Sequence, residues 1–162
     1  MTIVKPIPEG YYTLTPHLVV KGAAKAIEFY KAALNAEEIF RVNVSGDRIG
    51  HAELQIGNSR VMLADEYPDM GVLGPETLKG TSVSFMVYVE DVDKTAAAAV
   101  KAGMIVKKPI ADQFYGDRTG TFADPFGHQW TIGTRKEDLT PEEIDARANA
   151  KFNNPAHLRS KQ

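Results

Sequence analysis

Apolar positions follow two rhythms along this chain, one of period two and one of three-and-four, and the order in which they alternate occurs twice. Residues 14–20, Leu-Thr-Pro-His-Leu-Val-Val, are β-branched and apolar, with Pro16 near the start where a missing N–H is tolerated, and predict a strand. Gly22 ends it. Ala23, Ala26, Ile27, Tyr30 and Ala33 or Leu34 then recur at helical spacing, with Lys25, Glu28 and Lys31 on the other side, and predict an amphipathic helix of about 13 residues. Residues 38–44, 48–56 and 60–65 read as three more strands, parted by the turn compositions Ser45-Gly46-Asp47 and Gly57-Asn58-Ser59.

Residues 66–80 carry Pro68, Gly71, Gly74, Pro75 and Gly80 without a period, and read as a structureless connector. The same order then returns: a strand over 82–89, an Ala-rich helix over 92–102 closed by Gly103, and strands near 104–109, 120–123 and 128–134. Gly46-Asp47-Arg48-x-Gly50, with Gly57 seven residues on, is matched by Gly116-Asp117-Arg118-x-Gly120 with Gly127 seven on, every pair at an offset of 70. The chain therefore reads as one domain made of a duplicated βαβββ module: module one over 12–66, a connector over 67–80, module two over 81–135, and a C-terminal helix and tail over 139–162.

Each module is too small to bury a helix and a four-stranded sheet comfortably alone, so the two are expected to pair. The fold class is α+β, with two curved sheets around a central cup and the helices outside. In the third strand Gly50, Ala52, Leu54 and Ile56 form an apolar face for a helix, while Ile49, His51, Glu53 and Gln55 point the opposite way. A polar inner face implies a site.

Composition narrows the chemistry. With 43% hydrophobic and 25% charged residues, the 162-residue chain is an ordinary globular one. A formal charge of −2 offers no positive field for a phosphate backbone or an anionic membrane surface, so neither nucleic acid nor membrane is expected as a partner. The absence of cysteine removes thiolate nucleophiles, iron–sulfur clusters, Cys-based zinc sites and disulfides. Pro6, Pro8, Glu9 and Gly10 stand where a signal peptide would be apolar, and no apolar run approaches about 18 residues, so a cytoplasmic protein is expected.

Thr15 and His17 share one side of the first strand, and His51 and Glu53 share one side of the third. Two imidazoles and a carboxylate could hold an ion, could be hydrogen-bonded polar lining, or could form an acid–base pair in which Glu53 fixes a tautomer of His51 or His17. Phe114, Tyr115, Trp130 and Arg118 suit a planar or anionic small molecule. Alternation against Thr131 favours the sheet–helix core for Trp130, while Tyr115 is expected at the cavity rim. Asp124-Pro125-Phe126-Gly127 reads as a turn that needs no chemistry, with His128 exposed beside it. Thr140-Pro141-Glu142-Glu143 starts a helix: Thr caps, Pro takes the first position and Glu143 completes a capping box.

Several short motifs occur in one order. They are Thr15-Pro16-His17-Leu18 with Ala26-Ile27-Glu28-Phe29-Tyr30, His51-Ala52-Glu53-Leu54 with Met62-Leu63-Ala64-Asp65, Phe114 to Arg118, Asp124 to Trp130, and Thr140 to Ile144. In this the chain resembles the vicinal oxygen chelate superfamily, which holds glyoxalase I, extradiol dioxygenases, fosfomycin-resistance enzymes and the bleomycin-resistance binding protein, and within it the PhnB-like group. The resemblance implies the glyoxalase/bleomycin resistance fold, a homodimer, and an inner side bearing Thr15, His17, His51 and Glu53. It also implies metal ligands from the first and last strand of each half, at positions that here hold Thr15, Val61 or Met62, Ser84 and Thr131. None of these is a good ligand for a divalent cation, so no cofactor is expected.

The leading expectation is a protein that binds a small molecule in a cup lined by Thr15, His17, His51, Glu53, Ser84, Tyr115, Arg118 and Thr131. The alternative is a metal-dependent lyase or dioxygenase-type enzyme that uses a divalent ion displaced onto His17, His51 and Glu53 and acts on a vicinal-oxygen compound. A third possibility is a purely structural dimer with a closed core.

Overall fold

Pro16 has no N–H to give a ladder, and the first strand starts only after it: β1 (His17–Val20) is shorter than the stretch expected over 14–20. The structure, a computed structural model, describes residues 4–153. Helix α1 (Ala23–Leu34) follows, then β2 (Glu37–Asn43), β3 (Ile49–Ile56) and β4 (Ser59–Asp65). The connector is not structureless, as expected, but holds a 3-10 turn (Pro68–Met70) and the short helix α2 (Pro75–Leu78). The buried Glu66 carboxylate organises it by accepting from the Gly74 N–H at 2.6 Å and the Thr77 hydroxyl at 2.9 Å.

The second module comprises β5 (Ser84–Tyr88), α3 (Val92–Ala102), β6 (Ile105–Asp112), β7 (Asp117–Ala123) and β8 (Gln129–Arg135). Helix α4 (Pro141–Phe152) ends the described chain and carries the capping box expected of Thr140 and Glu143. The rest of the expected tail lies outside the described residues. The sheets run β1-β4-β3-β2 and β5-β8-β7-β6, each with its first and last strands parallel and the other pairs antiparallel. The α+β class with paired βαβββ modules is thus present.

Buried side chains from α1 (Ala23, Ala26, Ile27, Tyr30, Ala33) and α3 (Val92, Ala96, Ala99) join Leu54, Leu63, Phe122, Trp130 and Ile132 in one core. The two helices cover the convex faces of their sheets and pack on each other, so the modules meet through them. Tyr30 of α1 reaches module two, its ring 5.4 Å from Trp130 and its hydroxyl donating to Asp124 at 2.6 Å. Asp124 is the centre of this seam: its carboxylate also accepts from Trp130 Nε1 at 2.8 Å and from the N–H groups of Phe126 and His128, each at 2.9 Å. Trp130 lies in the core as alternation indicated.

Two further expectations fail for identifiable reasons. His128 is buried, not exposed, because its Nε2 sits 3.2 Å from the Val19 carbonyl on the free edge of β1, and its ring packs beside Phe85. Ile49 belongs to the core and not to the polar face, since the pairing of β2 with β3 slips between Val42 and Asn43 and breaks the alternation there.

Candidate functional site

Paired residues in a sheet share a face, so the strand register assembles the site row by row. His17 pairs with Met62, Met62 with Glu53 and Glu53 with Phe40, which puts these four in one row across the concave face of module one. His51 and Val42 pair two residues along on the same face, and Arg60 and Gln55 pair two residues along in the other direction. The same register settles the last-strand position of module one: Met62 is on the concave face, and Val61 is buried on the helix side.

His17, His51 and Glu53 are brought together. His51 Nε2 lies 3.4 Å from Glu53 Oε1, and the two imidazole rings stand 5.9 Å apart, edge to face. Glu53 is the more enclosed of the pair, with 13% of its side chain exposed against 31% for His51. Burial, and then the neighbouring His51, lower the pKa of His17 and favour its neutral form. Tyr11, from the segment before β1, faces Glu53 without a well-formed hydrogen bond; burial and that carboxylate push its hydroxyl up to about 12. Phe40 closes one side, its ring 5.8 Å from His51. Among the described residues no three His, Cys, Asp or Glu side chains converge as a ligand set for a metal ion.

Module two repeats the construction with other chemistry. The row that corresponds to His17, Met62, Glu53 and Phe40 holds Met86, Thr131, Thr121 and Lys108. Thr131 is 3.3 Å from the Thr121 hydroxyl and Tyr115 is 3.4 Å from that of Thr119, while Ser84 opens β5 in register with Gln129. Tyr88 donates to Asp117 at 2.7 Å, and that bond, more than burial, raises the Tyr88 pKa. A crevice of about 810 Å³ runs from Tyr88 and Tyr115 to Leu139 and Ile144, and a second of about 490 Å³ lies between β1, β5 and the connector, with His17 and His128 in its walls.

The expected site residues therefore fall into groups. His17, His51 and Glu53 share the concave face of module one, with Thr15 just before β1; Ser84, Thr131 and Tyr115 belong to module two. Arg118 lines neither concave face. It stands on the helix side of β7, where Asp93 of α3 takes it bidentately at 2.9 Å and Asp112 binds it at 3.1 Å, so its charge is already matched. Sequence reasoning missed Tyr11, Phe40 and Arg60. Alternation from Met62 would have found Arg60, but nothing in the sequence showed that the segment before β1 lies on the sheet.

Paired βαβββ modules with helices on the convex faces and polar residues on the concave ones define a structural class. The chain belongs to the Glyoxalase/Bleomycin resistance protein/Dioxygenase superfamily, whose family model matches residues 11–132. It is 42% identical over 136 residues to uncharacterised proteins of Mycobacterium bovis and Mycobacterium tuberculosis, across 82% of this chain and 90% and 80% of theirs. Among solved structures it is similar in fold to TioX from Micromonospora sp. ML1 (23% identity, TM-score 0.61, 76% of this chain and 98% of that one). It is also similar to the fosfomycin resistance protein FosX from Listeria monocytogenes (19%, TM-score 0.59, 82% and 97%). No described helix is long and apolar enough to cross a membrane.

Proposed function

We propose that this chain binds a small molecule in a cup closed between two copies of itself, without the metal ion of the superfamily's metal-dependent members. One observation carries the reading: within a chain the modules meet through α1 and α3 on their convex faces, which leaves both concave faces uncovered by the other module. Phe40 and Val42 on one face and Met86 and Tyr88 on the other are 41% to 62% exposed, a large apolar exposure for strand residues beside polar ones. A two-fold dimer that lays module one of each chain over module two of its partner closes two identical cups at once.

The donor chemistry supports a site without an ion. Thr15, Met62, Ser84 and Thr131 offer three hydroxyls and a thioether where the family resemblance implies ligands, a set that does not fit a hard divalent cation. What the face can do instead is bind polar groups through His17, Glu53 and His51, the last two in contact with each other. The motif order across 14–147 supports the PhnB-like group within the superfamily.

Sedimentation velocity combined with a thermal-shift screen of small molecules tests this. A dimer stabilised by at least one compound is expected, with Met86→Asp giving a folded monomer that the compound no longer stabilises. A monomeric wild-type chain that keeps its ligand response would sink the two-copy cup.

A further inference from the structure

Among the described residues, three buried side-chain polar atoms have no hydrogen-bond partner: the Tyr11 hydroxyl oxygen and Nε and Nη1 of Arg60. They belong to neighbours, with the guanidinium 5.8 Å from the centre of the Tyr11 ring. Every other described arginine has an oxygen acceptor. Arg41 binds Glu38, Arg48 the Glu66 carbonyl, Arg118 Asp93 and Asp112, Arg135 Asp138, and Arg147 Glu137. Buried donors without acceptors are costly, and they persist mainly where something else supplies the acceptor.

The position of Arg60 says what that would be. It pairs with Gln55, one pleat from Met62, and so shares a face with His17, Glu53 and His51. Glu53 is turned to His51 and Tyr11 and does not bind Arg60. On the N-terminal side the Gly10 backbone lies against the guanidinium, so close that a Cβ there would stand 3.1 Å from Nη2. Glycine brings no side-chain acceptor to that side. Phe40, His51 and His17 form a file of rings on the same face, with successive centres 5.8 and 5.9 Å apart. Flat rings and one cation with free donors recognise one kind of molecule.

We propose that the concave face of module one takes a small planar aromatic anion, its carboxylate or phosphate on the Arg60 guanidinium and its ring against Phe40 and the His17 and His51 imidazoles. The proposal rests on the reading of this face as a ligand site and names the ligand's chemistry. Aromatic–cation recognition, expected in module two from Phe114, Tyr115, Trp130 and Arg118, is thereby proposed for module one.

Titration calorimetry of the full chain with benzoate, phenyl phosphate and the uncharged isostere benzamide tests it. At least one acid is expected to bind about tenfold or more tighter than benzamide, and which acid does so identifies the acidic group. Arg60→Gln should bring acid and amide to within about twofold, and Arg60→Lys should keep part of the preference. Where Arg60→Gln fails to fold, the acid-to-amide ratio on the unaltered chain decides. Benzamide binding as tightly as both acids, or an acid binding Arg60→Gln unchanged, overturns the proposal and leaves the cup standing. No saturable binding of either acid, by a chain that other screened compounds stabilise, also overturns it. A chain that no compound stabilises overturns the cup itself.

Discussion

Module one gathers two imidazoles and a carboxylate on its concave face, whereas the corresponding row of module two holds neither, and the carboxylate of module two that reaches the other module, Asp124, lies in the seam. The rows that correspond in register are His17, Met62, Glu53 and Phe40 in the first and Met86, Thr131, Thr121 and Lys108 in the second. On the convex side the contrast reverses. Module one caps α1 with the buried Asp65 of β4, which accepts from the N–H groups of Gly22, Ala23 and Ile49 at 2.8 to 2.9 Å, all within its own module. In module two Thr134 accepts from Val92 N–H at the start of α3, and the buried carboxylate, Asp124, is turned to the partner module through Tyr30. One copy of the duplicated fold clusters His17, His51 and Glu53 on its face, and the other supplies the carboxylate that ties the two halves together.

That division is open to test by removing each carboxylate. Asp124→Ala strands the Tyr30 hydroxyl, the indole N–H and two backbone N–H groups in a buried place, and is expected to cost about 3–5 kcal/mol, or about 10 °C in Tm for a chain of this size. Asp65→Ala strands three backbone donors, two of them at a helix start, and should cost about 2–3 kcal/mol. Tyr30→Phe should couple to Asp124→Ala and not to Asp65→Ala in a double-mutant cycle followed by chemical unfolding. Equal coupling to both would break the distinction between seam and cap.

The repeated glycines sharpen the comparison on a smaller scale. Gly57 and Gly127 occupy the same place in the repeat and both have positive φ, 56° and 89°. A Cβ at Gly57 would meet nothing within 4 Å, while one at Gly127 would stand 2.8 Å from Pro75 Cβ in α2. Gly57→Ala should therefore cost only the backbone strain, about 1–2 kcal/mol, and Gly127→Ala more than that because the proline ring that opens α2 must shift. Thermal unfolding of the two variants reads the difference, and equal losses would mean that α2 yields freely.

The repeat, the order of elements and the helix-facing residues were legible in the sequence because they follow from local period and turn chemistry. Gly50 and Gly120 show how much a repeat can encode: a Cβ at either would stand 2.9 Å from a side chain of the preceding strand or turn, Val44 in one and Ile110 in the other. The site was legible only in part. Alternation found His51 and Glu53, but Arg118 was misassigned because a residue's neighbours across the helix layer, here Asp93, depend on packing that one strand's period does not contain. Arg60 and Tyr11 depend on how a segment without regular structure lies on a sheet. His128 was misjudged for the same reason, since the carbonyl that holds it is 109 residues away.

His128 also supplies the smallest effect. It joins module two to the free edge of β1, and because a carbonyl can only accept, its Nε2 carries the proton. Burial lowers its pKa, outweighing the opposing pull of Asp124 and the Val19 carbonyl. In the unfolded chain the imidazole titrates near its ordinary value of about 6.5. As pH falls through that value the unfolded chain takes up a proton that the folded one refuses, so the stability this group contributes is present above about 6.5 and declines below it until the folded state is protonated as well. His17, lowered by burial and by His51, acts in the same direction from the face of module one. A modest fall in Tm between about pH 7.5 and 5 is therefore expected, with the larger part removed by His128→Gln and the smaller by His17→Gln. If His17→Gln flattened the profile and His128→Gln left it unchanged, the proton-sensitive contact would lie on the concave face of module one, and the seam of module two would be indifferent to pH.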